Sequence, residues 1–304
     1  MSPPPRRRAA YRPSPIGAHI PSGGGLTRTA VPYARAVGAE AVQIFAGNPR
    51  AWARAEGNHE HDAAFHEACT AGGIAVFVHA PYLVNLGSPN PVTRERSRAV
   101  MTTTLDRARA LGAEGVVMHA GSAVDAAGRT ESLGHVREAV LTLLDAALSE
   151  DSASGAPPAP RLLIEPTAGG GGSLAATVEQ VGEYFAALDG DERLGLCLDT
   201  CHAFAAGADV ARPGGVRRLL TSLVGTVGRG RLGLVHANDS RDPVGSGRDR
   251  HARIGHGCIG EQPFGELFVH PAMRGVPIVV ETPGGQSAHT EDIALLRRLR
   301  DLPR

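Results

Sequence analysis

The sequence predicts an α/β chain folded as a single (β/α)8 TIM barrel with its active site at the C-terminal face of the strands, and three observations carry that prediction. Short apolar runs alternate with longer segments of helical period, the pattern of a parallel sheet with crossover helices. The runs number eight, the strand count of this barrel. The length, 304 residues, is ordinary for one such barrel with insertions.

The elements follow in order. Residues 1–14 are rich in Pro and Arg, include Arg6-Arg7-Arg8, and carry too little apolar surface to bury a core. They are expected to form a disordered tail, with the barrel domain over 15–304. The first run, Ile16–Ile20, contains His19, and the second is Ala41–Ala46. The third, Ala75–Ala80, brings His79 to its end and precedes helical period over Thr93–Leu111. The fourth, Gly115–Ala120, brings His119 and precedes Gly134–Ser149. The Ser-, Ala-, Gly- and Pro-rich stretch at 150–160 leaves the pattern on either side unchanged, so it reads as a surface loop inside the domain. The fifth run, Leu162–Glu165, ends in Glu165 and is followed by Ser173–Leu188. The sixth, Leu194–Asp199, ends in Asp199 with His202 just beyond. The seventh, Leu232–Ala237, brings His236, and the eighth, Pro277–Glu281, ends in Glu281 before Thr290–Leu299.

Composition narrows the function classes. The formal net charge is zero, so no global basic field draws the chain onto nucleic acid, and any contact with phosphate must be local. All 31 basic residues are Arg. With no Lys there is no amine for Schiff-base chemistry, which excludes lysine-dependent aldolases and abasic-site lyases. Four scattered cysteines form neither a disulfide framework nor a Cys-x-x-Cys knuckle. The start lacks a secretory apolar core, and no run approaches the roughly 18 apolar residues that span a bilayer. A soluble, cytoplasmic protein without membrane contact is expected.

The chemistry sits at the ends of the runs. Six successive strands deliver His79, His119, Glu165, Asp199 (with His202), His236 and Glu281 to the barrel face where catalytic residues collect. Asp249 and His251, two residues apart in the Gly-rich segment after the seventh run, point the same way if extended. One histidine at a strand end is more often a satisfied rim residue than a ligand. Asp and Glu closing apolar runs, however, need partners, and six strands repeat the pattern. Carboxylates crowded together raise one another's pKa unless cations hold them. Imidazoles with carboxylates and no Cys suit a catalytic zinc site with open positions, and manganese or iron could take part of it. Cys197 reads as a small buried hydrophobe, and Cys201 as a neighbour of ligands that the count does not need. His19 reads either as a rim residue or as a contact to phosphate or the metal shell. His59, His61, His66, His135, His270 and His289 show no partner pattern and are expected at the surface.

These residues resemble the endonuclease IV family of apurinic/apyrimidinic endonucleases. The resemblance runs from about Ile16 to Leu299. It is carried by Gly17-Ala18-His19-Ile20, Asn48-Pro49-Arg50-Ala51-Trp52, His79-Ala80-Pro81-Tyr82-Leu83-Val84-Asn85-Leu86-Gly87, Leu198-Asp199-Thr200-Cys201-His202, His236-Ala237-Asn238-Asp239-Ser240, and Asp249-Arg250-His251 followed by Gly255 to Gly260. Together these segments are specific where each alone is weak. The resemblance implies three zinc ions: His79, His119 and Glu165 on the first; Glu165 as a bridge to a second that also takes Asp199, His236 and Glu281; and His202, Asp249 and His251 on the third. Glu165, Glu281 and His119 are the expected catalytic residues. Two departures from the family pattern are Pro166, where a polar Asn is expected, and His256 with Cys258 in the Gly-rich segment.

The expected activity is hydrolysis of the phosphodiester 5′ to an abasic site, leaving a 3′-hydroxyl and a 5′-deoxyribose phosphate, together with trimming of blocked 3′ ends. The expected partner is double-stranded DNA containing abasic sites, met by a monomer with no obligate protein partner. Arg50, Tyr82 and Leu83, in the loops after the second and third runs, are residue types suited to wedging into a kinked duplex. The bland alternative is that Tyr82 and Leu83 pack their loop and Arg50 is solvated. Two rival functions fit the same residues: a metal-dependent sugar isomerase or epimerase on the same barrel, and a binding protein that has lost activity.

Overall fold

The computed structural model describes residues 13–53, 56–123, 128–151 and 158–302. The expected tail at 1–14 and the loop at 150–160 fall largely outside them.

Among the described residues, eight parallel strands close a barrel. They are β1 (Ile16–His19), β2 (Ala41–Phe45), β3 (Ala75–His79), β4 (Gly115–His119), β5 (Arg161–Glu165), β6 (Leu194–Asp199), β7 (Leu232–His236) and, after the two short strands β8 (Asp239–Ser240) and β9 (His251–Ala252), β10 (Ile278–Val280). β10 pairs with both β1 and β7 and so seals the ring. The barrel strands meet the expected runs to within about a residue, and Glu281 lies one position past its strand.

Side chains alternate along each strand. Val42, Ile44, Val76, Val78, Val116 and Met118 face outward, into the large cluster shared with the helices. Ala41, Phe77, Val117, Leu163, Cys197, Leu234 and Val279 face inward and form a second, separate core within the barrel. Gly17 is required where β1 meets β2, since a Cβ there would stand 1.6 Å from the Ala41 carbonyl oxygen.

The outer helices are α1 (Val31–Ala36), α2 (His59–Gly72), α3 (Pro91–Ala110), α4 (Arg129–Asp151), α5 (Val178–Ala187), α6 (Thr200–Ala205), α7 (Gly215–Val227) and α8 (Gly285–Asp301). α5 begins five residues later than the periodicity predicts. After the positive-φ glycines Gly169, Gly170 and Gly172, the Leu174 N–H donates to the Gly121 carbonyl and the Ala175 carbonyl accepts from the Thr167 N–H, which holds the loop until the Thr177–Gln180 capping box starts the helix. α4 and α8 each begin about five residues earlier than predicted.

β8 and β9 form a small antiparallel hairpin above the barrel that the sequence pattern does not announce. The buried Asp239 carboxylate anchors the loop behind it, accepting from the backbone N–H groups of Ser240, Gly255, Gly257, Ile259 and Gly260. No helix of the described residues is long and apolar enough to cross a membrane.

Candidate metal centre

Each strand-end residue of the expected set follows an inward core residue by two positions. His79 follows Phe77, His119 Val117, Glu165 Leu163, Asp199 Cys197, His236 Leu234 and Glu281 Val279. The alternation that fills the barrel therefore also aims these six side chains into its mouth. His202 joins them because Asp199 caps α6, accepting from the His202 N–H at 2.8 Å, and so starts the helix that carries it. The β8–β9 hairpin brings in Asp249 and His251.

Glu165 is the hub. Oε2 lies 3.1 Å from His79 Nε2 and 3.3 Å from His119 Nε2, while Oε1 lies 2.9 Å from His236 Nδ1 and 3.4 Å from His202 Nδ1. Each oxygen thus addresses a different side of the cluster. Asp199 Oδ2 is 3.8 Å from His236 Nδ1, and Glu281 Oε2 is 3.4 Å from the same atom. On the outer side, Asp249 lies 3.1 Å from His202 Nε2 and 3.0 Å from His251 Nε2. All nine expected residues are brought together. Donor atoms fall within 4.8 Å of one another in three sets that match the expected division: His79, His119 and Glu165; Glu165, Asp199, His236 and Glu281; His202, Asp249 and His251. Cys197 also lies within reach of Glu165 and His236, and Cys201 of Asp199 and His251.

The distal nitrogens are tied down. His79 Nδ1 donates to the Ala80 carbonyl at 2.6 Å, His202 Nδ1 to the Pro166 carbonyl at 3.1 Å, and His251 Nδ1 to the Glu281 carbonyl at 3.4 Å. Such contacts orient ligands and fix their tautomers. Pro166 does this with its backbone, so having Pro rather than Asn there leaves this contact intact.

The electrostatics fit cations. Burial pushes the Glu165 carboxyl upward, yet His236 and His119 outweigh it and hold its pKa well below the ordinary value. Glu281 is lowered in the same way by His236 and His19 against burial, and Asp249 by His202 and His251. Burial lowers His202 and His251, but the surrounding carboxylates, Asp199 foremost, win and push them up to about 10 and about 9. The cavity therefore holds carboxylates that stay ionised and imidazoles that attract protons, a donor set that divalent cations would satisfy. His251 Nε2 shows this directly. It is buried and close to Asp249, yet not aligned for a hydrogen bond with any partner among the described residues. Donors sharing a tetrahedral zinc at about 2.0–2.1 Å stand about 3.3–3.4 Å apart, close to the separations around Glu165.

The described residues also match known proteins. The family described as a xylose isomerase-like TIM barrel matches residues 31–299. A Streptomyces coelicolor protein named "Probable endonuclease 4" is 51% identical over 95% of this chain and 96% of its own length. The chain belongs to the endonuclease IV family. The crystal structure of endonuclease IV from Thermus thermophilus superposes with a TM-score of 0.79 at 35% identity, covering 94% of this chain and 98% of that one. A D-tagatose 3-epimerase-like protein also superposes, with a TM-score of 0.70 at 18% identity over 94% of this chain and 96% of that one, a likeness of fold alone. The sugar-enzyme rival therefore rests on shared architecture.

The remaining expected residues of this endonuclease IV chain stand around the mouth. Tyr82 is 53% exposed and Leu83 36%, and Arg50 is exposed. The Tyr82 ring leans on Phe45 and lies near-parallel to His119 at 6.1 Å, so it both packs the loop and presents a free edge. The Tyr82 N–H also bonds the Pro49 carbonyl, joining its loop to the one that carries Arg50. His19 is a neighbour of the cluster, with Nδ1 3.1 Å from Glu281 Oε1. His289 corrects the surface expectation. It is buried on α8, between the Tyr33 hydroxyl and the Thr282 carbonyl, because α8 turns that face to the barrel.

Sequence reasoning missed Gln43 and Asn238. Asn238 Nδ2 donates to Asp199 Oδ2 at 2.7 Å, and its Oδ1 accepts from the Glu281 N–H at 2.8 Å. Gln43 is inward-facing, two residues after Ala41, and that parity was the available signal for it.

Proposed function

We propose that the chain is a metal-dependent DNA repair nuclease that hydrolyses the phosphodiester 5′ to an abasic site, leaving a 3′-hydroxyl and a 5′-deoxyribose phosphate, and that it also trims blocked 3′ ends. The single observation that carries this reading is the convergence of nine imidazoles and carboxylates in three adjoining sets, two of which share Glu165. The relatives named endonuclease 4 support the substrate class.

In this reading His79, His119 and Glu165 hold one ion, Glu165, Asp199, His236 and Glu281 a second, and His202, Asp249 and His251 a third. Zinc is the natural occupant, with manganese or iron able to replace it in part. Divalent cations bound there supply Lewis acidity, an activated water and a clamp for the oxygens of an in-line displacement at phosphorus. The chain contributes the rest. Glu165 offers one oxygen to each side, His119 stands at the open rim with Tyr82 over it, and Glu281 is held with one oxygen toward the centre. A duplex backbone does not reach this depth unless the nucleotide turns out of the stack, which costs least where the base is missing. Tyr82, Leu83 and Arg50 serve as the wedge that opens the duplex. Residues 15–304 act as one catalytic domain with a Pro/Arg-rich tail before it, working as a cytoplasmic monomer without an obligate protein partner.

The test is a duplex carrying one tetrahydrofuran abasic analogue, which β-elimination cannot cut. Incision on its 5′ side that chelator abolishes and zinc restores is the expected result. Absence of incision by metal-loaded protein would overturn the reading in favour of a binding protein.

A further inference from the structure

Gln43 is fully buried at the wall of the metal centre, where an amide is costly unless both of its ends are bonded. Both are. Its Nε2 donates to Glu281 Oε1 at 2.7 Å, and its Oε1 lies 2.9 Å from His236 Nε2. The orientation of the amide is dictated from outside. An ionised carboxylate only accepts, so the NH2 end must face Glu281 and the carbonyl end must face His236. A carbonyl only accepts in turn, so neutral His236 carries its proton on Nε2 and turns the Nδ1 lone pair toward Glu165, Glu281 and Asp199. Glu281 is divided by the same contact. Its Oε1 is taken by Gln43 and by His19, and its Oε2, with only a long 3.5 Å contact from Asn238 Nδ2, faces the centre.

We propose that Gln43 is a positioning residue for the cation site formed by Glu165, Asp199, His236 and Glu281, selecting the tautomer of His236 and the exposed oxygen of Glu281 through one amide. The proposal rests on the metal-dependent reading above and deepens it. A donor and an acceptor are needed at fixed separation on an inward-facing β2 side chain. Glu lacks the donor at neutral pH, and Asn is one methylene too short.

The experiment compares zinc-loaded wild-type protein with Gln43→Met and Gln43→Glu in a graded series of free-zinc buffers, counting retained zinc by elemental analysis. The thermal midpoint of each metal-stripped protein is measured alongside. The expected result for Gln43→Met is that one ion per chain is held about 10- to 100-fold more weakly, the usual effect of removing a group behind a ligand. The other ions should keep wild-type affinity. Gln43→Glu, which preserves the acceptor for His236 but sets a negative charge against Glu281, is expected to loosen the same single ion. Wild-type retention of every ion in both variants overturns the proposal. Equal loosening of all ions overturns it too, since that marks a residue of general structural importance. A wild-type chain that takes up no zinc overturns the functional reading itself, and the proposal with it.

Discussion

Glu165 concentrates the chemistry of the molecule in one carboxylate, with two imidazoles facing each of its oxygens. Glu165→Gln keeps the shape and removes the charge. It is expected to cost at least one bound ion per chain and to lower incision about a hundredfold or more. Elemental analysis with incision kinetics checks this, and an unchanged metal content would contradict the hub role. Tyr82 belongs to the same scale. Its ring rests on His119 and Phe45 while half of its surface stays open. Tyr82→Ala is expected to weaken binding to an abasic duplex roughly tenfold, the range of one lost aromatic stacking contact, with metal content intact. Unchanged affinity in a binding titration would remove the wedge. Six of the nine residues were legible from sequence because each stands at the end of an apolar run, while His202 follows the sixth run closely and Asp249 and His251 were read from their spacing in the Gly-rich segment. The stacking of Tyr82 on His119 was not, since it depends on how two loops settle against each other.

At the scale of elements, period-two alternation does most of the work. Strands that fill the barrel with Phe77, Val117, Leu163, Cys197, Leu234 and Val279 must send the residues two positions on into the mouth. The six strand-end residues were readable from their place at the ends of the runs, and the alternation, applied to Ala41, would also have found Gln43. The hairpin was not readable, because two-residue strands carry no period. It depends instead on the buried Asp239 carboxylate and on Gly257, where a Cβ would stand 2.3 Å from the Ser240 carbonyl oxygen. Removing that carboxylate strands several backbone N–H groups, each worth about 1–3 kcal/mol when left unsatisfied. Asp239→Ala should therefore lower stability by about 3 kcal/mol or more and loosen the ion assigned to His202, Asp249 and His251. Chemical denaturation with metal counting checks both. A variant of wild-type stability that keeps every ion would contradict this account of the hairpin. The start of α5 was misread because the backbone at Leu174 and Ala175 is bonded to Gly121 and Thr167 rather than into a helical turn, a pairing between distant loops that periodicity does not carry.

For the molecule as a whole, a neutral chain with a charged cavity makes pH the informative variable. In the metal-stripped protein, His202 and His251 have pKa values raised above that of an unfolded histidine. Their stabilising contribution is complete below about 6.5 and disappears as pH rises through about 9 to about 10. The lowered carboxyls Glu165, Glu281 and Asp249 act in the opposite sense, contributing above the unfolded carboxyl range and losing that contribution as pH falls. Metal-stripped protein should thus lose at least a few degrees of thermal midpoint between neutral pH and about 10. Metal-loaded protein should not, because cations replace the protons, and its advantage over the stripped form should widen with pH. Parallel midpoints for the two forms across that range would contradict the proton–metal exchange.

The most direct measurement is anomalous X-ray diffraction at the zinc edge from crystals of the zinc-loaded protein. Three peaks in the barrel mouth are the expected result, one among His79, His119 and Glu165, one among Glu165, Asp199, His236 and Glu281, and one among His202, Asp249 and His251. A mouth without anomalous density, or zinc bound only elsewhere on the surface, would contradict it.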